Sequence, residues 1–142
     1  DNPTNCDIYG GLYSWDEMMN YETSGLGICP DGWRIPSDSD WTTLTDYLGG
    51  LSIAGGSMKE TGTTHWDSPN TGATNTSFFT GLPGGHKYFS GCISTGGMAA
   101  FWSSTEEAGN LAWYRYFLWN STQVTVNEVP KFNCFSVRCI KY

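Results

Sequence analysis

A chain of 142 residues has the size of one domain and is long enough to bury most of its apolar surface. Aromatic residues supply 15% of it and charged residues only 15%, with 18 glycines, so the chain is expected to fold around large rings with many turns between short elements. The net charge is −7 and the seven Lys and Arg stand singly, which leaves no basic patch for a phosphate backbone and excludes nucleic acid as the expected partner. No apolar run approaches the length of a membrane span, so no membrane insertion by this domain is expected. The abrupt opening at Asp1-Asn2-Pro3 reads as a mature product or an excised domain, part of a longer chain.

In chain order, Ser14-Trp15-Asp16-Glu17 predicts a first short helix opened by a capping box, broken by Thr23-Ser24-Gly25. A second helix is predicted after Pro36, with Ser37 as cap and Asp38 and Asp40 in its first turn. Trp41, Leu44 and Leu48 share one face, and Gly49-Gly50 ends the helix. Residues 52–85 show no sustained period. They read as a long loop region pinned by Trp66, Phe78 and Phe79, with turns at Gly55-Gly56, Ser68-Pro69-Asn70 and Pro83-Gly84-Gly85. Strands follow at 101–105, 112–119, 123–126 and 135–140, the last preceded by a loop over 127–134.

Five cysteines, Cys6, Cys29, Cys92, Cys134 and Cys139, occur without any C-x-x-C spacing and far in sequence from His65 and His86, so no zinc site is expected. The low lysine content and the Gly-, Asn- and aromatic-rich composition favour an oxidising compartment, hence an extracellular or cell-surface location. An odd count leaves at least one thiol free or bonded outside this sequence.

Three blocks carry a resemblance over nearly the whole chain: Tyr9-Gly10-Gly11-Leu12-Tyr13-Ser14-Trp15, then Cys29-Pro30-Asp31-Gly32-Trp33-Arg34-Ile35-Pro36 running on to Trp41, and finally 101–106 with the ending Phe135-Ser136-Val137-Arg138-Cys139. Together they resemble the Fibrobacter succinogenes major paralogous domain family, found in surface and secreted proteins of bacteria. The stretch 33–41 is also similar to a motif of formylglycine-generating-enzyme-like domains. The resemblance implies one domain over 1–142 with an α+β, C-type-lectin-like fold: two helices, a small twisted antiparallel sheet and long irregular loops. It also implies that the first and last parts of the chain meet through a Cys29–Cys139 disulfide, which in a chain-entropy picture contributes about 4–5 kcal/mol. Cys92 and Cys134 depart from the family pattern, which suggests that they pair with each other and leave Cys6 single.

Three function classes are open to a domain of this size and composition. An enzyme is disfavoured, because no Ser-His-Asp set, phosphate loop or metal triad appears, neither His has an acid partner at motif spacing, and no cofactor is implied. Calcium-dependent sugar binding is disfavoured because Glu128-Val129-Pro130 and Trp119-Asn120-Ser121 lack the oxygen-ligand motifs. The third class is a displayed binding surface. Along 112–119 one face carries Trp113, Arg115, Phe117 and Trp119, the other Tyr114, Tyr116 and Leu118. The resemblance puts the first set inward, with Arg115 needing a partner such as Glu106 or Glu107. Tyr114, Tyr116, Leu118, Gln123, Thr125, Asn127, Glu128 and Phe132 would then share an exposed ligand face, similar to the variable regions of diversity-generating retroelement proteins. The expected partner is a protein or carbohydrate on a cell or phage surface. The alternatives are a strand whose second face packs under the long loops, and a structural accessory domain of a larger secreted protein.

Overall fold

The computed structural model describes residues 3–88 and 91–142, so the opening Asp1-Asn2 lies outside the described residues. Helices span Pro3–Tyr9 (α1), Trp15–Met18 (α2), Asp38–Tyr47 (α3) and Ala54–Met58 (α4). Strands span Tyr13–Ser14 (β1), Trp33–Arg34 (β2), His86–Tyr88 (β3), Gly91–Ile93 (β4), Met98–Glu107 (β5), Leu111–Leu118 (β6), Val124–Pro130 (β7), Cys134–Phe135 (β8) and Ile140–Lys141 (β9). The fold class is α+β, with small antiparallel sheets in the orders β5-β6-β7, β1-β8-β3-β4 and β2-β9.

The two predicted helices form where their caps stand. Glu17 accepts from the Ser14 amide at 2.9 Å and from its hydroxyl at 2.8 Å, opening α2. The Ser37 hydroxyl accepts from the Asp40 amide while the Asp40 carboxylate accepts from the Ser37 amide at 2.7 Å, opening α3. Two further helices were not expected. No residue of α1 is buried, so it has no apolar stripe to announce it. In α4 the pair Gly55-Gly56 is not a turn. A Cβ on Gly55 would lie 2.8 Å from the carbonyl oxygens of Thr122 and Gln123, and one on Gly56 2.5 Å from that of Gly72, so glycine lets this helix press against two backbones.

β5 is the central strand, and Ala99 to Ser103 are buried without interruption. Its two faces feed two separate cores. Ala100 and Trp102 join Trp15, Met18, Ile35, Ala112 and Phe135, while Ala99 and Phe101 join Trp41, Met58, Trp66, Phe117 and Val124. The helices are fastened to the same strand by indole N–H groups: Trp15 Nε1 donates to the Ser103 carbonyl at 2.9 Å and Trp41 Nε1 to that of Trp102 at 3.2 Å. One edge of β5 carries β6. Along the other runs the C-terminal segment, with the Ser136 amide donating to the Ala100 carbonyl at 3.0 Å and the Trp102 amide to that of Ser136 at 3.2 Å.

The ends of the chain meet, as the resemblance implies. β2 pairs with β9 through Trp33–Lys141 and Arg34–Ile140, and Cys29 and Cys139 are bonded across 110 residues. The expected Cys92–Cys134 bridge is absent, and both cysteines are free, as is Cys6. The reason is register. Lys87 of β3 pairs with Cys92 on one side and Cys134 on the other, so a whole strand separates them, about 10 Å between Cα atoms, beyond what a disulfide spans. Cys92 instead lines a small cavity together with Cys6.

Non-reducing peptide mapping should recover Cys29 joined to Cys139 and Cys134 as a free thiol. Phe117→Ala should lower unfolding free energy by about 3–5 kcal/mol in denaturant melts, because this ring is 1% exposed and meets the rings of Trp66, Phe79 and Phe101.

Candidate functional site

The β6–β7 ladder sets the candidate surface. Tyr116 stands opposite Thr125 and Tyr114 opposite Asn127, while Arg115 stands opposite Val126 and Phe117 opposite Val124. The predicted inward set is correct for Arg115 and Phe117, at 2% and 1% exposure. Trp113 is only half-buried and donates its indole N–H to Glu107 at 2.9 Å.

The opposite face is less open than expected. Gln123, Asn127 and Phe132 are exposed, but Tyr114, Tyr116, Leu118 and Thr125 are half-buried. The cause is β8: Phe135 stacks on Tyr114 at 4.5 Å between centroids, and Tyr116 stacks on Tyr114 at 5.6 Å. Burial pushes the Tyr114 phenol up, with Tyr116 beside it adding to the shift and a hydrogen bond from Asn127 opposing it. Phe132 lies at the margin of this row, edge-on to Tyr88 at 6.2 Å. Glu128 does not belong to the row. It is exposed but stands opposite Trp113, on the reverse face of the sheet.

Two buried cations hold the reverse face and the loops around it. The expected partners of Arg115 are otherwise engaged, since Glu106 pairs with Lys131 at 3.0 Å and Glu107 takes the Trp113 indole. Arg115 instead reaches the first turn of α3. It pairs with the Asp38 carboxylate and donates to the Asp38 carbonyl at 3.1 Å and the Thr42 hydroxyl at 3.0 Å. Lys59, fully buried, donates to the carbonyls of Thr71, Leu118 and Ser121 at 2.9, 3.0 and 2.9 Å. Its three N–H bonds are all used, and burial pushes its pKa down to about 8, which leaves it charged at neutral pH. Together with Trp66, whose indole donates to the Gly81 carbonyl at 3.0 Å, it orders the long loop region.

The two histidines and the thiol of Cys134 are among the groups that could do chemistry. His65 has an acid partner that motif spacing did not reveal: its Nδ1 lies 2.8 Å from Glu60, and its ring meets Tyr9 edge-on at 5.9 Å. His86 packs against the ring of Phe135 at 6.0 Å, and burial pushes its pKa down. Burial pushes the Cys134 thiol up, away from the thiolate form a nucleophile needs. Among the described residues no group of three or more His, Cys, Asp or Glu is placed to hold a metal ion, and no helix is long and apolar enough to cross a membrane.

A cavity of about 700 Å³ lies elsewhere, between α3, Phe78-Phe79 and the segment 138–140. Sequence reasoning passed over it because its walls come from three distant parts of the chain. The one available signal was Phe78 in an otherwise polar loop.

A half-open aromatic row on a disulfide-closed α+β scaffold defines a small domain that presents surface on short strands and loops. The chain belongs to the Fibrobacter succinogenes major domain family, whose sequence profile matches residues 1–141. Neither curated proteins nor solved structures match the chain.

Lys59→Met should cost about 3 kcal/mol or more of stability in denaturant melts, since it leaves three carbonyls facing an apolar chain. Hydrogen bonds from Arg34 hold Asp40 well below its ordinary value of 3.8, against partial burial and helped by Ser37. A carboxyl with a lower pKa folded than unfolded contributes stability above its unfolded value that is lost as pH falls. Melting temperature should therefore drop on acidification below about pH 4, and Asp40→Asn should flatten that limb.

Proposed function

We propose that this chain is a non-enzymatic ligand-binding domain of adhesin or receptor type, displayed or secreted by a bacterium, with a C-type-lectin-like arrangement. The ligand is a protein or glycan on a cell or phage surface, and the binding face centres on Tyr116, Leu118, Gln123, Thr125 and Asn127, with Phe132 at its margin. The observation that carries the reading is the separation of tasks on β6 and β7. Arg115, Phe117 and Val124 anchor the reverse face, so the outward side chains of Gln123, Thr125 and Asn127 can change without unpicking the scaffold. A segment diversified by a retroelement needs that property. The meeting of chain ends through β2, β9 and the Cys29–Cys139 bond supports the lectin-like arrangement. His65 and Glu60, five residues apart, brace a turn, which favours a structural over a catalytic role. One observation favours the second reading, a structural accessory domain: Tyr114 lies flat beneath Phe135.

The test is direct. Labelled domain is applied to a glycan array and to intact bacterial cells, alongside Tyr116→Ala and Asn127→Ala. Asn127→Ala should keep a melting temperature within a few degrees and Tyr116→Ala should stay folded at some loss of stability from its stack on Tyr114, and both should weaken binding by about 1–2 kcal/mol. Tyr114→Ala should lower the melting temperature, because its ring is stacked on two others. Absence of binding by the unaltered domain, or binding that neither surface variant disturbs, overturns the proposal.

A further inference from the structure

We infer that the groove between α3 and the C-terminal segment is a second binding site, distinct from the β6–β7 face, and that it takes a carboxylated pyranose of a surface polysaccharide. Its volume is about 700 Å³, within the range of small-ligand pockets. One wall is a helical face: Asp40, Thr43 and Tyr47 fall at i, i+3 and i+7 of α3. The facing wall carries Phe78 and Phe79, and Arg138 closes the third side.

Two observations set the ligand chemistry. The first is the pair of rings at the rim. Tyr47 is 87% and Phe78 88% exposed, the two most exposed large apolar side chains of the described residues. Phe78 is not exposed by slackness. Its φ is +57°, a conformation costly for a bulky residue. The loop holds it there: the Asn75 side chain donates to the Thr80 hydroxyl at 2.9 Å and accepts from the Thr80 amide at 2.8 Å. A ring fixed outward by its own loop is a flat platform with an electron-rich face, suited to the C–H face of a sugar.

The second observation is charge. Arg34 is paired with Asp40 and Arg115 with Asp38, but Arg138, the third arginine, has no carboxylate partner among the described residues of a chain carrying −7. Its Nη2 donates to the Phe79 carbonyl at 2.9 Å and its guanidinium lies 4.4 Å from the Phe79 ring centroid, which fixes it in place. Burial pushes its pKa down, and a guanidinium stays charged in proteins. A held, partly buried guanidinium without a counter-charge is complementary to a carboxylate. Peptide carboxylates are commonly caught by backbone N–H nests. Here the groove offers a guanidinium, a phenol, a hydroxyl and two open ring faces, beside the Asp40 carboxylate that Arg34 already neutralises, and an acidic sugar with one apolar face and polar edges can satisfy this set at once.

Trp41 also lines the groove, so its indole N–H resonance reports occupancy in the intact domain. The probes are tetragalacturonate, a hyaluronan tetrasaccharide and sialyllactose, with methyl-esterified tetragalacturonate and lactose as neutral counterparts. At least one acidic probe should shift the Trp41 signal and bind about tenfold or more tighter than its neutral counterpart. Tyr47→Ala and Phe78→Ala should each weaken that binding about tenfold, and Tyr116→Ala should leave it unchanged. Arg138→Gln should erase the preference for acid over ester. Should that variant fail to fold, the comparison of acid with ester on the unaltered domain still decides the role of charge. No Trp41 shift with any of the three acids, equal affinity for acid and neutral forms, or indifference to both ring variants overturns the proposal.

Discussion

One strand buried on both faces governs this structure. Ala99 through Ser103 of β5 have no solvent side, so every neighbouring element must cover one face or an edge of it. Alternation then assigns the neighbours: α2 and Phe135 lie over Ala100 and Trp102, while α3, α4 and the aromatic loop lie over Ala99 and Phe101. Small side chains at 99 and 100 alternate with large ones at 101 and 102, so the rings of both layers have room to approach. The indole N–H groups of Trp15 and Trp41 satisfy carbonyls of this strand that an ordinary sheet partner does not reach. Helices and sheet are thereby fixed to a common reference, and β6 and β7 inherit their position from it.

Local chemistry was legible in the sequence and non-local contact was not. The capping boxes at Ser14 and Ser37 act within four residues, so α2 and α3 fall where expected. Alternation along 112–119 put Arg115 and Phe117 on one face, since a strand cannot turn one side chain without its neighbours, and family likeness turned that face inward, where both are buried. Alternation does not say what covers the other face, so the half-burial of Tyr114 and Tyr116 by Phe135 escaped it. The link between Cys29 and Cys139 came from family likeness. The same style of reasoning failed for Cys92 and Cys134, because shared novelty is not proximity and Lys87 stands between them. Lysine is ordinarily a surface charge and nothing in the sequence around Lys59 marks it as buried; only the fold shows three carbonyls converging on it.

The first turn of α3 links the two proposed surfaces. Asp38 takes Arg115 from the sheet, and Asp40 takes Arg34 from β2 while closing its own helix cap. Two acids two positions apart thus consume two of the chain's three arginines and orient a helix whose outer side forms the groove wall. Asp38 serves the sheet through Arg115, and Asp40, which itself lines the groove, serves β2 through Arg34.

Lys59 has a consequence of its own. Three carbonyl oxygens at 2.9–3.0 Å around one positive centre make a small coordination cage, of the kind irregular loops often build for a metal ion. Here the ion is an ammonium tethered to the backbone. It cannot be chelated, diluted or exchanged, and its occupancy does not follow the ionic composition of the medium. A loop organised in this way carries its own cation in whatever medium the domain meets.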